Sequence, residues 1–300
     1  MWKSEFIKLA YSLNSSINSI GAGDVKFVRG LKQKGKRLMI RLLAHDNLIL
    51  IDVCGLPMHI YANTEDTIAY IARPFEPYTT ELFEKAIKPG YKVLDIGAQF
   101  GYYSLIAAMK AGRKGRIYAF EPAPANFQLL NRNIQMNMYS DIIHALQKGV
   151  GNKHKTDTLY LYENSDSHSM FPHSQARVRE TIPIECITID EFPENQSINV
   201  IKMDIEGNEP YAMEGMKQTI SKNDNIILFT EFAPALIRRA GVKPEDFLAQ
   251  IQSYGFNIRI IDEHSRSLKP VPKETLDGID PSWYANLYCI KRCKRFNSKS

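Results

Sequence analysis

Apolar and polar residues follow two periods along the chain, one typical of buried strands and one typical of helices. Short apolar runs predict strands at 93–97, 116–121, 198–205, 226–232, 256–261 and 284–290. Apolar residues three and four positions apart predict helices at 103–110, 124–138, from 210 onward and at 244–254. This alternation predicts an α/β fold, a mostly parallel sheet with helices on both faces.

Two of the helices carry further signals. Before the first strand, Thr80 is suited to cap a helix that Lys88-Pro89-Gly90 ends. In the helix at 124–138, four apolar residues share one predicted face: Phe127, Leu130, Ile134 and Met138.

Residues 1–77 lack this regular rhythm and predict a small N-terminal α+β extension. Apolar positions from Phe6 to Ile17 predict an amphipathic helix, and 48–53 and 58–61 predict strands on either side of a turn. Residues 73–77 predict an extended linker. We expect the regular domain to occupy 78–292 and a basic tail 293–300.

A long polar loop interrupts the regular pattern. Residues 158–162 and 181–189 predict two strands, and 163–180 separates them. Loops of this length in compact domains are usually functional lids or disordered segments, and both interpretations stay open here.

Composition is typical of a soluble globular protein, with 44% hydrophobic and 24% charged residues. The net charge is +5, but the two ends are basic and the middle is acidic. No apolar run is long enough to cross a bilayer, and Met1 to Phe6 does not begin a secretory signal. These observations predict a cytoplasmic protein without a transmembrane segment, and leave its oligomeric state unknown.

The first strand of the regular domain ends in an acid followed by two glycines. Asp95 precedes Gly97 and Gly101, which are four residues apart. A dinucleotide-binding loop has a different glycine spacing, and an acid is a poor neighbour for a pyrophosphate. The acid favours a ligand with an ammonium group, so the pattern indicates a cationic nucleoside.

The second strand ends at Glu121, followed by Pro122. An acid at this strand end can accept hydrogen bonds from both hydroxyls of a ribose. The alternative is that Glu121 only stabilises the positive end of the next helix.

Carboxylates also follow the next two strands. Asp204 and Glu206 end one strand, and Glu231 ends the other. Such a group can supply a general base or, if the chemistry is metal-dependent, ligands for a divalent metal. The alternative is an ion pair of Lys202 with one carboxylate and helix capping by the others.

Three ordered motifs resemble the FkbM family of S-adenosylmethionine-dependent methyltransferases over about residues 78–262. They are Pro89-Gly90 with the run Val93 to Ser104, then Phe120 to Pro124 with Phe127, Leu130 and Asn133, and last Ile201 to Glu209. One departure is Gln99, where the family usually has Asn.

The resemblance implies a Rossmann-like methyltransferase sheet of seven strands whose last strand is antiparallel. It implies S-adenosylmethionine as cofactor and O-methylation of a sugar, glycan or natural-product hydroxyl. The residues that it implies for cofactor binding are Asp95, Gly97, Gln99, Gly101, Tyr102, Ser104, Glu121, Pro122 and Asp204. It implies that Asp204 and Glu206 face the methyl-transfer site, and leaves a divalent metal an open question.

We expect Asp204 or Glu206 to take the acceptor proton, with His168 of the polar loop as a rival base. Three alternatives stay open: a nicotinamide-dependent oxidoreductase on a related sheet, RNA methylation through the basic ends, and a non-catalytic binding subunit. Nucleic acid is the less favoured partner, because the predicted cleft has no basic run interleaved with aromatic residues.

Overall fold

The structure is a computed structural model that describes residues 47–62, 70, 75–162, 167–172, 177–194, 197–271 and 283–291. The predicted helix from Phe6 to Ile17, the first two linker residues (Arg73 and Pro74) and the tail at 293–300 lie outside these residues.

The elements alternate between strand and helix through most of the described chain. The strands are β1 (Leu48–Val53), β2 (Leu56–Tyr61), β3 (Lys92–Ile96), β4 (Arg116–Phe120), β5 (Ile143–Leu146), β6 (Gly149–Val150), β7 (Lys155–Leu161), β8 (Glu180–Ile187), β9 (Ile198–Met203), β10 (Ile227–Phe232), β11 (Phe256–Asp262), β12 (Ser267–Lys269) and β13 (Ala285–Lys291). The helices are α1 (Pro77–Ala86), α2 (Tyr102–Ala111), α3 (Pro124–Met136), α4 (Glu209–Glu214), α5 (Lys217–Lys222), α6 (Pro234–Arg239) and α7 (Pro244–Ser253).

One eight-stranded sheet organises the molecule, in the order β12-β11-β13-β10-β9-β3-β4-β5. Neighbouring strands in the series β10-β9-β3-β4-β5 pair in parallel. Strand β13 pairs antiparallel with both β10 and β11. The mostly parallel α/β sheet with an antiparallel last strand is thereby confirmed, and β12 adds an eighth strand at one edge.

Helices cover both faces of this sheet, as predicted. Side chains alternate between faces along each strand, so Val93 packs with α1 to α3 and the next residue, Leu94, packs with α4 to α7. Within the described ranges, no helix has the length and apolarity needed to cross a membrane.

Two predicted helix details are wrong. Helix α1 begins at Pro77, because proline is pre-organised for the first helical position, and Thr80 lies inside the helix with its Oγ1 bonded to the Phe75 carbonyl. Helix α3 ends at Met136, and Met138 has a φ of 57° and a side chain 88% exposed. Met138 therefore does not continue the apolar face that Leu130 and Ile134 bury.

Strands β1 and β2 form an antiparallel hairpin that packs on α3. Asn133 of α3 accepts a hydrogen bond from the His59 N–H and donates one to the His59 carbonyl. The same amide donates to the Phe100 carbonyl in the turn after β3. One buried side chain thus ties the extension to the turn where we expect the cofactor.

The two strands predicted on either side of the polar loop are β7 and β8, which pair antiparallel, and β6 joins β8 in a separate three-stranded sheet. Part of the predicted lid loop is described, at 167–172 and 177–179. Its Ser169 pairs with Tyr160 of β7, so this part of the loop is fixed to the sheet that it leaves.

Candidate functional site

A cleft of about 660 Å³ opens beyond the carboxyl ends of β3, β4, β9 and β10. Parallel sheets usually bind ligands at this position. The sequence-predicted residues that line it are Asp95, Gly97, Gln99, Tyr102, Glu121, Pro122, His168, Asp204, Glu206 and Glu231. Gly101 and Ser104 are buried and do not line the cleft.

The turn after β3 fits tightly between the two neighbouring strands. The N–H groups of Gly97 and Ala98 both donate to the Phe120 carbonyl, at 2.9 Å each. Gly97 has a φ of 86°, and a Cβ built there would lie 1.9 Å from the Asp204 carbonyl oxygen. A glycine is therefore required at this position.

Asp95 is a buried carboxyl, 2% exposed, at the end of β3. Ser104 on α2 donates its Oγ hydrogen to Asp95 Oδ2 at 2.5 Å. Burial raises the pKa of Asp95 to about 6, although the Ser104 hydrogen bond opposes the rise. Ser104 thus acts through Asp95. Tyr102 is tied to Thr80 and to the Phe75 carbonyl by its hydroxyl.

Glu121 lies at the end of β4, directly across from that turn. Its Oε2 accepts the Gln99 N–H and its Oε1 the Ala123 N–H, both at 2.9 Å. Burial raises the pKa of Glu121 to about 7 in spite of these two bonds. Ala123 immediately precedes α3, so this hydrogen bond supports the alternative that Glu121 stabilises the start of that helix. The Glu121 carboxyl also lines the cleft.

Lys202 and Asp204 form an ion pair at the end of β9. Lys202 is 2% exposed, and its Nζ lies 3.0 Å from Asp204 Oδ2 and 4.9 Å from the centre of the Tyr103 ring. Burial would lower the pKa of Lys202, but the carboxylates of Asp204 and Glu76 outweigh it and raise the pKa. The ion-pair alternative is thus realised for Asp204.

Three carboxylates gather between β9 and β10. Oxygens of Asp204, Glu209 and Glu231 lie within 4.8 Å of one another. This group shares Asp204 and Glu231 with the set predicted for a metal-dependent reaction, and it contains Glu209 where that set has Glu206. Oxygen ligands of this kind suit a divalent cation.

Two members of this group are already bonded by protein donors. Asp204 accepts from Lys202, and Glu209 accepts the N–H groups of Ile205 and Gly207. Glu231 Oε2 is buried with no hydrogen-bond partner among the residues that the structure covers. Burial raises the pKa of Glu209 to about 7, and burial with the neighbouring carboxylates raises that of Glu231.

The described part of the polar loop forms another wall of the cleft. The Tyr162 N–H donates to His168 Nδ1 at 3.2 Å, so in the neutral ring the proton lies on Nε2. A base role for His168 would require Nδ1 to release Tyr162. Beside it, Ser169 Oγ donates to the Glu206 carbonyl at 2.8 Å, which fixes the loop on the turn after β9.

Sequence reasoning missed Glu76 and Glu209. Glu76 precedes α1 by one residue and lines the cleft. Glu209 is the last residue of the third motif and the first residue of α4, and no role was predicted for it from the sequence. A single sequence offers no spacing signal that would have placed either carboxyl beside Asp204.

A family model described as "Methyltransferase FkbM domain" matches residues 95–258. The match runs from the last two residues of β3 to the first three of β11 and includes most of the cleft, and it excludes the hairpin, α1 and β13.

Curated relatives and a solved structure show more distant similarity. "Methyltransferase sdnD" of Sordaria araneosa is 22% identical over 215 residues, which cover 61% of this chain and 80% of that protein. "Methyltransferase 1" of Beauveria bassiana is 25% identical over 145 residues, which cover 41% of this chain and 57% of that protein. A crystal structure of methyltransferase FkbM from Methylobacillus flagellatus is 16% identical, with a TM-score of 0.43. The alignment covers 86% of this chain and 59% of that chain.

Proposed function

The chain belongs to the FkbM methyltransferase family, and from this membership we propose that it transfers the methyl group of S-adenosylmethionine to a hydroxyl oxygen of a sugar, glycan or natural product. The observation that carries the proposal is one cleft with acids at the ends of four strands. Asp95 and Glu121 end β3 and β4, and Asp204 and Glu231 end β9 and β10.

The cofactor half of the cleft lies over β3 and β4. We assign the ribose hydroxyls to Glu121, because its carboxyl is held at the strand end by two backbone N–H groups. Gly97 lets the ligand approach the backbone, since the turn has no side chain there. The methionine half then extends towards Asp95 and β9.

The acceptor half lies over β9 and β10, where Asp204, Glu206 and Glu231 line the cleft. The acceptor oxygen attacks the methyl carbon, the carbon–sulfur bond breaks, and its electron pair stays on the sulfur. The hydroxyl proton passes to a carboxylate, either Asp204 or Glu206. A positioned base contributes about 10²–10⁴-fold to such a step.

Methyl transfer to a panel of hydroxylated acceptors, measured with isotope-labelled cofactor, tests the proposal. We expect Asp204→Asn or Glu206→Gln to lower kcat by at least tenfold while cofactor affinity changes less. Asp224→Asn is the matched control, because Asp224 lies outside the cleft lining. Normal turnover in both cleft variants would exclude Asp204 and Glu206 as the base, and transfer to nitrogen acceptors alone would exclude O-methylation.

The alternatives receive less support. Family membership favours methyl transfer over a nicotinamide-dependent reaction and over a purely binding role. The acids at the acceptor end disfavour a polyanionic acceptor such as RNA, since like charges repel in a partly buried site.

A further inference from the structure

One carboxylate of the cleft lies outside the matched family region and has no role in the transfer just proposed. Glu76 is the residue before α1, with a left-handed backbone (φ 41°), and Pro77 follows it as the first helical residue. This conformation turns the side chain back into the cleft, where it lies with Asp95 and Lys202.

Two donors from distant parts of the chain orient this carboxylate. The Tyr103 hydroxyl of α2 donates to Glu76 Oε2 at 2.5 Å, and Asn286 Nδ2 of β13 donates to Oε1 at 2.7 Å. Each oxygen keeps a second lone pair for a further donor. The group is therefore fixed in position and still able to accept a hydrogen bond from a ligand.

The charges around Glu76 do not balance. Lys202 interacts with Glu76, Asp95 and Asp204, so one buried cation faces three carboxyl groups. Burial raises the pKa of Glu76 in spite of Lys202 and its two hydrogen bonds, and it also raises that of Asp95. A ligand that brings a positive charge to this corner would stabilise the ionised carboxylates.

We propose that Glu76 binds the α-ammonium group of the methionine part of the cofactor. The inference rests on the proposed function, because it takes S-adenosylmethionine as the ligand. Glu121 then holds the ribose and Glu76 the opposite end of the same molecule, with Asp95 between them.

The strand order agrees with this assignment. Glu121 follows β4, Asp95 ends β3, and Lys202 lies on β9, so the three strands are consecutive in the sheet. Strands lie about 4.8 Å apart, which puts the Lys202 corner roughly 10 Å from the ribose end. Over that distance a nucleoside can extend its amino-acid tail across the turn at Gly97.

Calorimetry with three adenosyl compounds tests the role of Glu76. S-adenosylmethionine and S-adenosylhomocysteine carry the ammonium group, and 5′-methylthioadenosine lacks the whole amino-acid tail. We expect Glu76→Gln to weaken the first two by about tenfold or more, the usual effect of losing a hydrogen bond to a charged group. Binding of 5′-methylthioadenosine is expected to change by less than twofold.

Glu81→Gln is the matched control, since Glu81 lies on the same helix, pairs with Lys85 and lies outside the cleft lining. We expect it to bind all three compounds like the wild type. If Glu76→Gln does not fold, Asn286→Ala gives the same test, because it removes the donor to Glu76 Oε1. We expect a smaller loss of affinity for the two compounds with the ammonium group and unchanged binding of 5′-methylthioadenosine.

Four outcomes would overturn the inference. An equal loss for all three compounds means that Glu76 only supports the fold, and unchanged binding of all three means that it does not contact the cofactor. If the wild type binds none of them, the cofactor assignment itself fails. A separate change in the acceptor KM, with unchanged cofactor binding, would place Glu76 at the acceptor instead.

Discussion

At the residue scale, the carboxyl of Glu121 shows two opposing influences. Two backbone N–H groups favour its ionised form, yet burial wins and raises its pKa to about 7. The group therefore titrates near neutral pH in the ligand-free protein. A ribose hydroxyl is bound best by the ionised form, which accepts hydrogen bonds at both oxygens.

We expect cofactor affinity to rise with pH around neutrality. If binding requires ionised Glu121 with a pKa of about 7, the Kd at pH 6 is about tenfold higher than at pH 8. Asp95, with a pKa of about 6, makes the rise in Kd steeper at the acidic end of this range. Calorimetric titration from pH 5.5 to 8.5 measures the slope.

Glu121→Gln is the control for this slope. We expect the variant to bind S-adenosylmethionine more weakly at every pH and with a flatter dependence between pH 6 and 8. Wild type and variant with the same slope would show that another group causes it.

The three-carboxylate group between β9 and β10 gives a second prediction at this scale. Since Lys202 and two backbone N–H groups already serve Asp204 and Glu209, we propose that the transfer does not need a divalent cation. Turnover after dialysis against a chelator should equal that of untreated protein. An activity that is lost on chelation and restored by magnesium or manganese would contradict this.

At the element scale, the strand–turn–helix unit of β3 and α2 depends on Gly97. A Cβ there would lie 1.9 Å from the Asp204 carbonyl oxygen, in a left-handed backbone. We expect Gly97→Ala to lower the free energy of unfolding by about 3 kcal/mol or more. Gly55→Ala is the control, because Gly55 has nearly the same φ (87°) and open space around it, and its cost is about 1 kcal/mol. Urea denaturation compares the two, and equal midpoints would contradict the close approach.

Docking of the N-terminal hairpin depends on Asn133. Asn133→Ala removes three hydrogen bonds, two part-buried ones to His59 and a buried one to Phe100, and we expect it to lower the free energy of unfolding by about 2–4 kcal/mol. Asn131→Ala, which removes one bond within α3, should cost less than 1 kcal/mol. Amide hydrogen exchange adds a local readout, because β2 should lose protection in the first variant alone.

The sequence predicted most strands of the sheet but located the ends of the helices less accurately. Buried strands such as β3 and β9 are continuous apolar runs, so periodicity alone locates them. Strand β5 has four residues and a mixed pattern, and its place in the sheet comes from pairing with β4. Met138 was misplaced because the 3.6-residue period continues in the sequence after the helix has ended.

The site was predictable where chemistry follows strand ends. Glu121, Asp204 and Glu231 line the cleft because parallel strands bring their carboxyl ends to one edge. Glu76 was missed because its position depends on a left-handed residue and on contacts with β13, which is 210 residues away in the chain. Their roles in binding and catalysis stay predictions until the variants are measured.

At the scale of the whole molecule, the buried acids of the cleft oppose folding at neutral pH. The pKa values of Asp95, Glu121 and Glu209 are all raised, to about 6, 7 and 7. The folded state therefore holds more protons than the unfolded chain between about pH 4 and 7, and the contribution of these groups to stability falls as pH rises through that range.

We expect Glu121→Gln to lose less stability than the ligand-free wild type between pH 5 and pH 8, by on the order of 2 kcal/mol. Urea midpoints of both proteins at the two pH values measure the difference. Identical losses would mean that Glu121 is not buried in solution. Saturating S-adenosylmethionine should stabilise the wild type more than the variant.

The bond between Glu76 and Asn286 has a consequence for how the protein is made. Its two partners are separated by 210 residues, which a ribosome adds in roughly 10–40 s. Until β13 emerges, the nascent sheet lacks the strand between β10 and β11, and Glu76 lacks one of its two donors. A message cut short before codon 285 would therefore yield a polypeptide with the three FkbM motifs intact and one corner of the pocket unfinished.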